Sequence, residues 1–360
     1  MPLHEAESVA DHSSMYDCVS LGEVMLRFDP GEARIRTAKE FRVWEGGGEY
    51  NVTRGLSKCF GWKTAVITSI VDNEIGHLIE DLIMQGGVDT RLIKWIPEDG
   101  LGRLSRNGLN FVERGFGIRS AKSVSDRGNT AASQLKRGDI DWDFVFGTLG
   151  TRWFHASGIF TSLSRNTAEL VLEAVQTAKK HGVTVSFDIN YRPSLWKGIT
   201  DKRHFQIIQS EIAKYVDVLL GPGFDIVNDQ KEFQSMRIDG YIERIERTVA
   251  SFPNIKVIVA TMRQLKSANR NDWSAVGWKD QRFVESVKFQ DLDVYDRVGG
   301  GDGFASGLIY GLLTTGDVET ALNYGIAHGA LTMTTPGDNS MVNLQDVESV
   351  LRGNISSILR

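Results

Sequence analysis

Cysteine is nearly absent from this 360-residue chain, which holds two, Cys18 and Cys59. Two isolated thiols exclude a disulfide framework and a cysteine-based metal cluster. Cys18 sits in the apolar run YDCVSLGEVML and Cys59 follows a helical segment. Both are expected as buried free thiols in a reducing compartment. No apolar run approaches the ~20 residues needed to span a membrane. The opening residues MPLHEAESVADHSSM lack the basic start and apolar stretch of a signal peptide. A cytoplasmic protein without a membrane partner is expected. The seven histidines show no metal-ligand spacing, and no Ser-His-Asp constellation or nucleophile elbow is visible around HASG. His155 and His328 lie in apolar contexts and are expected in the core or a pocket wall. A net charge of -5 argues against nucleic acid as a partner, because phosphate backbones demand clustered Lys and Arg. No repeat, low-complexity tract or Pro/Ser-rich linker divides the chain.

What is present is an ordinary globular composition, 41% hydrophobic and 24% charged, enough to bury a substantial core. Short β-rich runs alternate with helical ones. CVSLGEVML (Cys18–Leu26), Thr64–Val71, RWFHASGIF, VTVSFDINY, VDVLLG and IKVIVATM read as strands. NEIGHLIEDLIMQGG and Thr167–Gly182 read as helices, the second ending in lysines and a glycine stop. That rhythm implies parallel crossovers and an α/β fold with a central, mostly parallel sheet flanked by helices. Ligands bind at the carboxyl ends of such strands, where Asp188, Asn190 and Arg192 would lie. Two regions, residues 26–47 and 102–126, alternate polar and apolar residues between glycine turns. They read as strands of a small second sheet, suited to a lid or a dimer contact. One α/β domain over residues 16–360 is expected, with residues 1–15 as a disordered extension.

The stretch DRVGGGDGFASG (Asp296–Gly307) raises the functional question. Glycines are costly to order and poor helix formers. Before a helix they let backbone N–H groups converge on an anion, helped by the helix dipole. A carboxylate beside that nest would repel the anion unless it accepts a proton from an attacking hydroxyl. Two readings stand on the residues alone: phosphoryl transfer to an alcohol, or a tight turn with Asp302 as a simple N-cap.

DRVGGGDGFASGLIYGLL resembles the C-terminal signature of the ribokinase-like (PfkB) sugar kinases, and EGGGEYNVTRGLSKCFGWKTAVITSIVDNEIG resembles their N-terminal one. Within the family, GEVMLRFDP, SFDINYRPSLW, DRVGGGD and TTPGD are most similar to 2-keto-3-deoxygluconate kinases. The resemblance implies an ATP-dependent kinase with magnesium, and leaves open a monovalent cation such as K+. It makes Asp302 the base and Gly299, Gly300 and Gly301 the anion hole, with Gly299 and Gly301 also against ATP. It gives Gly47, Gly48, Asn51, Arg127, Arg192 and Asp338 to the sugar and Thr261 to the nucleotide. Two arginines favour an acidic sugar, since a guanidinium grips a carboxylate through two parallel hydrogen bonds. The two extended regions match the family's lid, which often clasps a second chain into a dimer.

The chain departs from that pattern in places. Gly303 replaces the alanine after the base, and the magnesium-linked Asn-x-x-Glu reads PGFD, leaving Asp225 as its acid. Asn110 and Ser125 stand where many ketodeoxygluconate kinases have tyrosines, and Thr-x-Gly reads Thr261-Met262-Arg263. A kinase for fructose, another neutral sugar or a nucleoside is the nearest rival. A non-catalytic sugar or nucleotide sensor is the rival from another class.

Overall fold

The structure is a computed structural model that describes residues 14–190, 192, 195, 202–224 and 237–353. In chain order its strands are β1 (Tyr16–Leu21), β2 (Met25–Asp29), β3 (Arg42–Gly46), β4 (Thr64–Asp72), β5 (Ile93–Pro97), β6 (Leu109–Glu113), β7 (Lys122–Asp126), β8 (Thr151–Ser157), β9 (Thr184–Asp188), β10 (Val218–Leu220), β11 (Val257–Ser267), β12 (Arg270–Lys279), β13 (Arg282–Glu285) and β14 (Phe289–Asp293). The helices are α1 (Gly48–Lys58), α2 (Glu74–Gln85), α3 (Gly158–Thr161), α4 (Arg165–Lys180), α5 (Lys202–Ala213), α6 (Ile238–Ser251), α7 (Gly300–Thr315), α8 (Val318–Thr332) and α9 (Leu344–Leu351). Of the expected extension, residues 1–13 lie outside the described residues, and the Met15 N–H already donates to Leu149 O at 3.0 Å.

The main sheet runs β13-β12-β11-β10-β9-β8-β1-β4-β5, with β14 also on β12. From β11 to β5 every pairing is parallel. These strands are apolar on both faces because helices cover both. One layer packs Val19, Phe154, Phe187 and Ile258 against α4 and α6. The other packs Cys18, Trp153, Val257 and Val259 against α1, α7 and α8. The thiols of Cys18 and Cys59 are buried and unpaired, as expected. Helix α4 starts at a capping box between Ser164 and Thr167. Gly303, Gly307 and Gly311 recur every fourth residue in α7. A side chain at Gly311 would lie 2.4 Å from Ala321 Cα in α8, so these glycines serve close helix packing.

The structure corrects two readings. The single strand expected over Cys18–Leu26 breaks at Gly22, where a Cβ would stand 2.3 Å from Glu49 Oε2. β1 ends there, and β2 leaves for another sheet. The antiparallel strands β12, β13 and β14 went unread, since their mixed polar and apolar residues give no clean period. The second sheet forms as expected, in the order β3-β2-β6-β7. One cross-strand row is Val43–Phe28–Phe111–Val124, and the next is Trp44–Arg27–Asn110–Ser125. Arg27 points its row toward the main domain, where it pairs with Asp296 and Asp338. No described helix is long and apolar enough to cross a membrane.

Candidate active site

Helix α7 begins in a backbone that only glycine tolerates. Gly299 has φ +81°, and a Cβ there would sit 1.8 Å from Asp338 O. No side chain caps α7, whereas Asn73, Ser164, Asp317 and Asn343 cap α2, α4, α8 and α9. The first turn closes with Gly303 N–H donating to Gly299 O at 2.7 Å. The N–H groups of Gly300 and Gly301 have no partner among the described residues. A Cβ at Gly301 would meet nothing within 4 Å. The nest is therefore open, a fit for a phosphoryl group.

Asp302 follows in the first turn, and it is no N-cap. Its Oδ2 accepts from Asn51 Nδ2 at 2.7 Å, and Asn51 Oδ1 accepts from Gly47 N–H at 3.2 Å. The glycine cluster before α1 thus orients the acid through Asn51. A Cβ at Gly48 would lie 3.5 Å from Asn190 Nδ2 and 3.8 Å from Asp302 Oδ1. The starts of α1 and α7 and the end of β9 accordingly meet at one point. Burial lifts the Asp302 carboxyl from 3.8 to about 6, with Asn51 and Arg192 pulling it back.

Two more carboxyls share this corner. Glu49 is fully buried and its Oε1 accepts from Ser157 Oγ, while its Oε2 has no hydrogen-bond partner. Burial raises Glu49 to about 7. Asp188 at the end of β9 is raised to about 7, by burial first and then by the Asp302 charge. The Asp302 charge favours the protonated form of Asp188, so the two carboxyls titrate as a coupled pair.

Arg192 is exposed near this corner and favours the ionised forms of Asp302 and Asp188. Arg127 is committed: its Nη2 lies 2.5 Å from Glu23 Oε2, and Thr130 Oγ1 donates to the other oxygen of Glu23. Asp338 is buried and its carboxylate faces Arg27. Thr261 lies half-buried on β11, one residue before Met262 and two before Arg263. Trp44 packs against Gly337. His155 and His328 are buried on Ser186 Oγ and on Ser306 Oγ with Gly303 O. Burial lowers them to about 3 and about 4, which makes them neutral core residues.

Sequence reading missed Arg27, Glu49 and Arg297. Burial lowers Arg263 to about 10, and the charges of Arg297 and Arg192 add to it. None of these three arginines has an ion-pair partner among the described residues. Like charges gathered without an ion pair among the described residues suit a polyanionic ligand. Asp225 lies outside the described residues. Among those described, no group of three or more His, Cys, Asp or Glu assembles to hold a metal ion.

Comparison with known proteins shows that the fold is that of a carbohydrate kinase. The chain belongs to the pfkB family of carbohydrate kinases, whose model matches residues 15–220 and 274–344. It is 29% identical to the 2-dehydro-3-deoxygalactonokinase of Haloferax volcanii over 96% of this chain and 99% of that one. It is 26% identical to the 5-dehydro-2-deoxygluconokinase of Bacillus subtilis over 93% of this chain and 96% of that one. The crystal structure of 2-dehydro-3-deoxygluconokinase from Thermotoga maritima superposes with a TM-score of 0.84, at 32% identity, covering 93% and 99% of the two chains. An ATP-bound fructokinase from Xylella fastidiosa shares the fold, with a TM-score of 0.70 at 19% identity, over 95% of this chain and all of that one.

Proposed function

We propose that this carbohydrate kinase transfers the γ-phosphoryl group of ATP to a hydroxyl of an acidic keto-deoxy sugar, with 2-keto-3-deoxygluconate or its galacto epimer as the first candidates. The observation that carries the reading is Asp302, held by Asn51 beside an uncapped, open glycine nest. Asp302 takes the proton from the sugar hydroxyl as that oxygen bonds to phosphorus and the bond to the ADP oxygen breaks. The N–H groups of Gly300 and Gly301 stabilise the charge on the phosphoryl oxygens. Magnesium, brought by the nucleotide, would offset phosphate charge.

Arg192 supports the acid specificity, standing near Asp302 without an ion-pair partner among the described residues and so able to grip a carboxylate. Arg127 lines the same side, with Glu23 fixing its orientation. Gly48 leaves room for the sugar, since a side chain there would project toward Asp302, while Gly47 lets the chain pass the Glu23 carbonyl, 2.0 Å from where a Cβ would stand. Thr261 and the free arginines Arg263 and Arg297 suit the nucleotide phosphates. The second sheet closes over the sugar as a lid and excludes water. Its row Val43–Phe28–Phe111–Val124 is the surface on which two chains would clasp.

The test is ADP release from magnesium-ATP, with and without K+. The acceptors are 2-keto-3-deoxygluconate, 2-keto-3-deoxygalactonate, 5-dehydro-2-deoxygluconate, fructose, ribose and adenosine. Preference for a keto-acid supports the reading. Preference for a neutral acceptor reassigns Arg192, and sugar binding without ADP formation leaves a sensor.

A further inference from the structure

Arg27 belongs to lid strand β2, yet its side chain is only 1% exposed and faces carboxylates of the main domain. Nη1 donates to Asp338 Oδ1 and Nη2 to Asp296 Oδ2, while Asp29 Oδ2 lies 3.8 Å away. Both of those acids sit in the loops that build the glycine nest. Asp296 Oδ1 accepts from Val298 N–H at 3.2 Å, immediately before Gly299. Asp296 N–H donates to Met333 O at the end of α8. Asp338 abuts Gly299 through its backbone carbonyl and Gly46 through its carboxylate, each closer than a Cβ would allow. One guanidinium thus spans the two loops on either side of Gly299.

Two further contacts fasten the lid at the same place. The Arg114 guanidinium lies 4.4 Å over the Tyr295 ring and its Nε is 3.8 Å from Asp29. Beyond β6, Gly117 N–H donates to Asn269 Oδ1 and Gly117 O accepts from Ala268 N–H. A buried ion network adds little net stability, because desolvation offsets its attraction. What a planar fork supplies is a fixed angle and spacing between two carboxylates.

We propose that Arg27 is a positioning residue for phosphoryl transfer: from the lid it sets the spacing of the Asp296 and Asp338 loops, so that the Gly299–Gly301 nest is shaped only while the lid is docked. The proposal rests on the reading of that nest as the anion hole.

Arg27→Lys keeps the buried charge but replaces the fork by a point. Its kcat should fall about 10²-fold, as misplacement by an ångström does. KM for the sugar and affinity for ATP should stay near wild type, and amide exchange across residues 297–303 should quicken. In Arg27→Ala, added guanidinium should restore part of kcat while equal ionic strength from NaCl should not. Where these variants fail to fold, Arg27→Met with Asp296→Asn and Asp338→Asn removes the three hydrogen-bonded charges together and leaves Asp29 to Arg114. A folded triple variant should still turn over slowly. Wild-type kcat and exchange in any folded variant would overturn the proposal. A wild type that releases no ADP with any acceptor would instead remove the kinase reading itself.

Discussion

Asn51 in α1 donates from Nδ2 to Asp302 Oδ2 in α7 at 2.7 Å, joining positions 251 residues apart. The bond leaves Asp302 Oδ1 on the side of Gly48. One oxygen is tethered and the other faces Gly48, which suits the proposed general base.

Asp302→Asn should retain ATP binding and lose ~10²–10⁴ in kcat, the range for a lost general base. The same change should stabilise the fold. The carboxyl titrates at about 6 when folded against 3.8 unperturbed, so the folded chain holds the proton more tightly. Stability therefore falls as pH rises from about 3.8 to about 6, and the deficit persists above that range. Asn removes it. Melting at pH 8 should show Asp302→Asn above wild type, while at pH 4 the two converge. A variant less stable at pH 8 would contradict the burial argument.

The acid limb of kcat/KM should lie near pH 6, with activity lost below it as Asp302 takes up its proton. Arg192 favours the ionised acid, so Arg192→Gln should move that limb to higher pH besides weakening sugar binding. A limb that stays in place would show that the Arg192 charge does not reach the base.

Glycine substitutions separate space from strain. At Gly301 the backbone is ordinary and a Cβ meets nothing within 4 Å. Gly301→Ala should therefore melt like wild type and lose ~10-fold or more in kcat, because its methyl group intrudes on the phosphoryl position. Gly299→Ala should melt lower, since φ is +81° and Asp338 O stands in the way. Equal loss of stability in both would mean that the nest is only a turn.

The parallel sheet was legible because burial on both faces leaves unbroken apolar runs such as VIVA (Val257–Ala260). The second sheet was legible because its strands alternate apolar and polar residues, as in LRFD and LNF. The helix start at GGGD was legible from glycine chemistry. Periodicity is local, however, and the contacts that complete the site are not. Arg27 meets Asp338 across 311 positions, and nothing in LRFDP marks that arginine as buried. The same limit hid the hydrogen bonds by which Asn51 joins Gly47 to Asp302. It likewise hid the ion pair that the Asp338 carboxylate makes with Arg27.

The lid offers the last prediction. Val43, Phe28, Phe111 and Val124 lie directly opposite one another across all four strands. Phe28 stacks on Phe111 at 5.0 Å, with Phe41 edge-on to both. Val43 and Val124 remain 39% and 55% exposed. An apolar row across a sheet face invites a partner surface, and its own counterpart on a second chain is self-complementary about a two-fold axis. Light scattering should therefore give a dimer for wild type. Val124→Asp, which places a charge in that row without touching the Arg27 row, should give a folded monomer. Since the lid must stay docked for the nest to keep its shape, the monomer should also show a lower kcat. A wild-type monomer at micromolar concentration would assign the row to packing within the lid alone.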